Sequence, residues 1–160
     1  MQPISEDQKT IEFVLDVPGH NKDAIFSASK AWIAENFNSA KAITEDTDKD
    51  AARIIGNANI KYPRSSGFDC LSLARENDLL GFTLRIDAKD NKFKTTYSNL
   101  KIISLPTTGT SFGLIYTPGT PLSEYEIRYQ CEINTAKQAL QSLSGQLQKF
   151  ILNETIRANW

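Results

Sequence analysis

The sequence predicts an α+β fold, in which an antiparallel sheet of about five strands carries two helices on one face. Residues 8–17 alternate apolar and polar side chains, the period of a strand with one buried face, and the alternation returns in three later segments. Two other segments place apolar residues three and four positions apart, as one face of a helix requires. With 160 residues, 40% of them hydrophobic, we expect one filled core and a single domain over residues 1–160.

The first strand and the first helix follow each other directly. A polar stretch, Gln2–Gln8, should form a tether before the strand, and Pro18-Gly19 should end the strand. Asn21 can accept hydrogen bonds from the first turn of a helix that extends to about Phe37. The apolar stripe of this helix, which should lie on the sheet, comprises Ile25, Ala28, Ser29, Trp32, Ile33 and Phe37.

Alternation and turn residues place the later strands. We predict a tight turn at Asp90-Asn91, where two strands meet in a hairpin. The segment from Pro63 to Asp78 has no clear period. The predicted strands are 41–45, 53–62, 79–88 and 92–98.

The C-terminal part divides into a loop-like segment, 104–121, and a helix, 122–158, which follow a sheet-forming region at 8–103. Ser123 and Glu126 have the spacing of a capping box that would open the helix. Apolar residues beyond Leu147 could pack on the sheet or on another copy of the chain, so we expect a monomer or a weak homodimer. The apolar residues of this helix are Tyr129, Ile133, Ala136, Leu140, Leu143, Leu147, Phe150 and Ile151.

Charge and hydropathy exclude several classes of function. The net charge is −1, with 18 basic and 19 acidic residues, so bulk electrostatics does not favour nucleic acid, and we expect no nucleic-acid partner. No segment has the ~20 apolar residues of a bilayer span, and Met1–Ser5 does not resemble an export signal. If Met1 is not native, a removed leader could still have supplied a membrane tether.

Cysteine and histidine usage predicts no metal or other cofactor. Cys70 and Cys131 lack a metal-binding spacing, and we expect two independent, half-buried thiols, with a disulfide as the alternative. His20, the only histidine, lies in a turn and is expected to be structural. The acidic turn 46–50 has alternating oxygen ligands, but Ala51-Ala52 and the missing downstream glutamate depart from a calcium loop.

Several segments together resemble a known family. These are 10–19 (TIEFVLDVPG), 21–23 (NKD), 31–33 (AWI), 54–58 (IIGNA) and 82–94 (FTLRIDAKDNKFK). They are similar to an uncharacterised bacterial domain family with a TATA-binding-protein-like fold, which is common in exported proteins and lipoproteins. The resemblance spans residues 9–103.

The resemblance implies a helix-on-sheet fold and no established activity or catalytic residues. It also implies a periplasmic or outer-membrane-tethered lipoprotein, with a cytoplasmic protein as the alternative. Kinship with a DNA-binding fold does not by itself imply DNA binding. The long C-terminal helix departs from the family pattern.

The outward sheet face is the first candidate site, because its side chains mix both charges with amides and hydroxyls. It could be a platform for a protein or glycan partner of the cell envelope, or an ordinary solvated face. The candidate binding surface comprises Arg53, Asn57, Asn59, Lys61, Arg85 and Lys94.

The second candidate is the 104–121 segment, which could be a lid over an apolar groove or an additional edge strand. The lid residues would be Phe112, Leu114 and Tyr116, and the protein would then carry a small apolar ligand. Acidic pairs occur in turns, and no serine or cysteine motif forms a nucleophile elbow. We therefore expect a non-enzymatic binding module, with the carrier as the alternative and a hydrolase as the third.

Overall fold

The computed structural model describes residues 2–37, 50–63, 78–104 and 123–158, with side chains of the last range described as far as residue 153. The predicted strand 41–45 and the acidic turn 46–49 lie outside these ranges, as do residues 64–77 and 105–122. The elements are a 3-10 turn at Glu6–Lys9, β1 (Ile11–Asp16), α1 (Lys22–Asn36), β2 (Arg53–Lys61), β3 (Leu79–Lys89), β4 (Lys92–Ser104), β5 (Ser123–Glu126) and α2 (Gln130–Ala158).

Strand β4 organises the sheet because it is paired on both edges. β3 pairs along one edge, while β1 pairs with residues 92–97 and β5 with residues 101–104 of the other. β2 lies beyond β3, and every strand pair is antiparallel. β1 and β5 therefore lie end to end beside β4, and together they give the five-stranded sheet that the sequence predicts.

Both helices pack on the same face of the sheet. α1 contacts β3 and α2 contacts β1, while the two helices also contact each other. The predicted stripes of both helices are confirmed, since their central residues are fully buried. The largest fully buried aliphatic side chains include Ile25, Ile33, Leu84, Ile86, Leu140 and Leu147.

The β3–β4 turn also holds the corner between β1 and α1. Asn91 adopts a left-handed backbone (φ +67°), and its side-chain oxygen accepts a hydrogen bond from the Gly19 amide at 2.9 Å. Asp90 accepts one from the Lys22 amide at 2.8 Å, and Asn21 accepts one from the Ala24 amide at 2.8 Å. The predicted turn and the predicted N-cap are both confirmed.

The predicted start of the C-terminal helix is wrong. Ser123–Glu126 forms strand β5, and the helix begins at Gln130. Pairing with β4 explains the difference, because β5 hydrogen-bonds the edge that β1 leaves unpaired beyond residue 97. Glu132 takes the capping role instead: its Oε1 atom accepts hydrogen bonds from the amides of Arg128 and Tyr129, each at 3.1 Å.

The N-terminal stretch is not a simple tether. The Ile4 amide donates to the Arg128 carbonyl at 2.9 Å, and the Gln130 amide donates to the Gln2 carbonyl at 2.8 Å. Ile4 also packs against the core. These contacts dock the stretch beside the junction of β5 and α2. Because this junction follows Gln2 by more than a hundred residues, local sequence patterns do not predict the docking.

Cys131, in the first turn of α2, is disulfide-bonded. The expectation of two independent thiols is therefore wrong at Cys131. The chain's only other cysteine, Cys70, lies outside the described residues.

Within the described part of the chain, no helix combines the length and apolar character needed to cross a bilayer.

Candidate functional site

The outward side of the sheet, opposite the face on which the helices pack, is called the open sheet face below. Strand alternation places every second side chain there, and most of these side chains are exposed or half-buried. Its members include Glu12 and Val14 of β1, Arg53, Asn57, Asn59 and Lys61 of β2, Thr83, Arg85 and Asp87 of β3, and Lys94, Thr96 and Lys101 of β4.

A ladder of polar side chains crosses three strands of this face. The Thr83 hydroxyl donates to the side-chain oxygen of Asn57 at 2.8 Å, and the Asn99 amide nitrogen donates to Thr83 Oγ1 at 3.1 Å. Thr83 therefore links β2 to β4, with its hydroxyl acting as both donor and acceptor. The ladder fixes the orientation of two amide groups on an exposed surface.

A β-bulge shapes the sheet next to this ladder. The pairing of β3 with β4 shifts between Gly81 and Thr83, and Asn99 has a left-handed backbone (φ +52°). A Cβ atom at Gly81 would lie 2.9 Å from Ile103 Cδ1 and 3.1 Å from two Lys101 carbons, so these side chains fill the space above the glycine. A shallow groove of about 540 Å³, called the polar groove below, runs past Asn57, Asn59, Thr83, Asn99 and Lys101.

Two arginines converge on Asp87 at the other end of the open sheet face. Arg53 Nε donates to Asp87 Oδ1 at 2.7 Å, and Arg85 Nε donates to Asp87 Oδ2 at 2.8 Å. The Asp87 side chain is only 17% exposed, whereas the two arginines are about 40% exposed. The carboxylate thus holds both guanidinium groups in place while leaving part of each open to solvent.

These ion pairs predict that the stability contributed by Asp87 depends on pH. Burial raises the pKa of this carboxyl, but hydrogen bonds from Arg53 and Arg85 outweigh burial and hold the pKa below its ordinary value of 3.8. A carboxylate with a lowered pKa stabilises the fold above its unfolded pKa, and the contribution disappears as pH falls through the folded pKa. We expect Asp87→Asn to lower the urea midpoint at pH 7, with a smaller difference below about pH 4.

The matched control for this prediction is Glu35→Gln, an exposed carboxylate near the end of α1. It should leave the midpoint nearly unchanged at both pH values, as exposed substitutions usually do. If Asp87→Asn lowered the urea midpoint equally at pH 7 and below about pH 4, the predicted pH dependence would be contradicted.

A second groove, called the basic groove below, surrounds this ion-pair cluster and has a volume of about 300 Å³. Five of its side chains are cationic and one is a carboxylate. Its lining residues are Val14, Arg53, Arg85, Asp87, Lys89, Lys92, Phe93 and Lys94.

The structure places all six residues of the candidate binding surface on the open sheet face, but in different surroundings. Arg53, Arg85 and Lys94 line the basic groove, and Asn57 and Asn59 line the polar groove. Lys61 lies at the exposed end of β2 and lines neither.

Sequence reasoning missed the residues that bring these groups together. The predicted binding surface of six residues includes neither Asp87, which joins the two arginines, nor Asn99, which completes the polar ladder. The outward position of Asp87, between Arg85 and the hairpin turn, could have identified Asp87 from the sequence. No local signal marks the bulge at Asn99.

His20 and the acidic side chains do not add a further site among the described residues. His20 Nδ1 lies 3.1 Å from the Pro18 carbonyl oxygen, within the turn that precedes α1. Across residues 2–37, 50–63, 78–104 and 123–158, no group of three or more His, Cys, Asp or Glu side chains is placed to hold a metal ion. The lid residues Phe112, Leu114 and Tyr116, on which the carrier hypothesis depends, lie outside these ranges.

A buried hydroxyl cluster lies beneath the open sheet face, between β4 and α2. The Ser144 hydroxyl is 2.8 Å from Thr95 Oγ1 and 2.7 Å from the Tyr97 hydroxyl. Burial raises the pKa of Tyr97 to about 12, despite hydrogen bonds from Ser144 and Thr95 that act in the opposite direction. Tyr97 is therefore neutral at physiological pH, and the cluster serves as a polar attachment between helix and sheet.

Fold and site together define a TATA-binding-protein-like α+β domain, a five-stranded antiparallel sheet with two helices on one face and polar grooves on the other. The chain belongs to the DUF4468 family, described as a domain of unknown function with TBP-like fold, whose model matches residues 12–102. The predicted fold class and family are thus confirmed. No curated protein matches the chain significantly.

Two crystal structures resemble the chain. A TBP-like protein from Parabacteroides distasonis superposes with a TM-score of 0.61 at 12% identity, over 94% of this chain and 97% of that one. A DUF4468 family protein from Bacteroides ovatus gives a TM-score of 0.44 at 16% identity, over 63% of this chain and 59% of that one. The first likeness extends well beyond residues 12–102, so the C-terminal helix belongs to a shared fold.

Proposed function

We propose that the domain is a non-enzymatic binding module that acts through its open sheet face. The observation that carries this proposal is the fixed arrangement of polar groups there, in which the Asn57–Thr83–Asn99 ladder and the Asp87 ion pairs hold amides and guanidinium groups in place. Groups held in this way lose little conformational freedom when a ligand binds, which favours affinity.

The energetics of these contacts support a binding role more than a stabilising one. Exposed ion pairs and cross-strand pairs contribute only about 0.2–1 kcal/mol each to stability. Two grooves lie on this face, each lined by several hydrogen-bonding side chains. A face of this kind suits a polar macromolecular partner, which we propose is a protein or glycan of the cell envelope.

The disulfide at Cys131 supports placement in the envelope. Disulfides persist in oxidising compartments such as the periplasm and are rare in the cytosol. We therefore propose a periplasmic or outer-membrane-tethered protein.

Site-specific photocrosslinking tests the binding role. A photoreactive amino acid at Asn59, an exposed position in the polar groove, should capture a discrete partner in the cells that naturally express the protein. The matched control is the same amino acid at Lys137, an exposed position on α2. Capture from both positions alike, or from neither, would contradict a binding role for the open sheet face.

A further inference from the structure

The basic groove concentrates positive charge on a chain that carries no excess of it. Arg53, Arg85, Lys89, Lys92 and Lys94 line a space of about 300 Å³, whereas the whole chain has a net charge of −1. The groove's one carboxylate is already bound by both arginines. The positive charges of Lys89, Lys92 and Lys94 are therefore available to interact with a ligand.

The three lysines have no ion-pair partner among the described residues. Lys89 and Lys92 are direct neighbours across the β3–β4 hairpin, and like charges in that position destabilise a sheet. Asp16 is the direct neighbour of Lys92 on β1, and Asp87 is that of Lys94 on β3, but neither carboxylate forms an ion pair with its lysine. A bound anion would offset the repulsion between Lys89 and Lys92.

An apolar side chain borders the same groove. Val14 is 64% exposed and is the direct neighbour of Lys94 on β1. Of the described residues, only Val14 and Leu152 are exposed large hydrophobic side chains, and only Val14 is on the sheet. The groove therefore offers cationic contacts beside one apolar contact.

We infer that the basic groove binds a short, extended, acidic segment of a protein partner that also carries an aliphatic side chain. This inference rests on the proposed function and names the chemistry of the partner. Alternate side chains of an extended peptide lie about 7 Å apart on one side, the same spacing that separates Lys92 from Lys94 along β4. Acidic residues at alternate positions can thus meet successive lysines.

The surroundings of the groove favour a short acidic segment over a nucleic acid. Glu12, Glu124 and Glu126 lie on the same sheet, beyond the groove, and Lys101 pairs with Glu124 at 3.3 Å. A nucleic acid gains affinity from many phosphate contacts along its length. The acidic residues would repel a long polyanion while leaving the groove accessible to a few carboxylates.

The test uses a short synthetic peptide with glutamate at two alternate positions and valine at the next alternate position, so that all three side chains lie on one side of the extended peptide. It is titrated into the whole chain and followed by NMR. We expect saturable shifts at Val14, Lys92 and Lys94, and weaker binding when salt is raised from about 0.05 to 0.5 M. Replacing Lys92 and Lys94 together by glutamine should weaken binding roughly tenfold, since two charge-assisted contacts are lost. The control, Lys137→Gln, removes an exposed lysine of α2, on the side of the sheet opposite the groove.

The outcomes separate this inference from the proposed function. Equal binding of a peptide with glutamine in place of glutamate, unchanged affinity of the double variant, or tighter binding of a single-stranded oligonucleotide would each overturn it. Absence of peptide binding together with partner capture from Asn59 would overturn the acidic-segment inference and leave the binding module intact. If the peptide does not bind and the photoreactive residue at Asn59 captures no partner, the proposed function is contradicted as well.

Discussion

Replacing Leu140 with alanine is expected to lower the free energy of unfolding by about 2–5 kcal/mol. Leu140 is fully buried on α2, and its neighbours along the helix stripe, Ala136 and Leu147, are also fully buried. A truncated side chain would lose its transfer energy and leave a cavity that the sheet and α1 fill only partly. Urea denaturation followed by circular dichroism would measure the loss.

This prediction tests whether α2 is part of the domain, since the family match ends at residue 102. The matched control is Gln141→Ala, an exposed position one residue along the same helix. It should change the free energy of unfolding by less than about 0.5 kcal/mol. If Leu140→Ala were as mild as the control, or if α2 melted in a separate transition, the helix would be an appendage instead of a core layer.

Reducing the disulfide at Cys131 is expected to destabilise the protein by about 2–4 kcal/mol. The bond restricts the unfolded chain, so its removal favours unfolding even where the folded structure is unchanged. Thermal denaturation with and without reductant would measure the loss, and intact mass would show the gain of two hydrogens.

Substitution identifies the partner of Cys131. Because the chain has one other cysteine, Cys70, we expect Cys70→Ser and Cys131→Ser to lower the free energy of unfolding by similar amounts. The double variant should lose no more stability than either single variant. Additive losses would contradict a bond between these two residues. A protein that is equally stable in reductant would remove the support that the disulfide gives to an envelope location.

Local patterns were sufficient for the outline of the fold and for part of the candidate site. Alternation in 53–61 and 79–89 identifies which residues of β2 and β3 face outward, so the sequence alone makes Arg53, Asn57, Asn59 and Arg85 candidates. Alternation does not give the register between strands. Arg53 and Asp87 are 34 residues apart, and only the pairing of β2 with β3 makes them direct neighbours.

The sequence by itself determined whether each long element is a helix or a strand and which of its sides faces the core. The alternating strands, the stripes of α1 and α2, the cap at Asn21 and the turn at Asn91 all follow from interactions within a few residues of each other. Only the tertiary structure decided the rest. Ser123–Glu126 became a strand because β4 offered an unpaired edge, and the N-terminal stretch docked because the backbone at Arg128 and Gln130 could bind it. The basic groove likewise formed only when hydrogen bonding aligned β1 to β4, because strand register depends on distant partners.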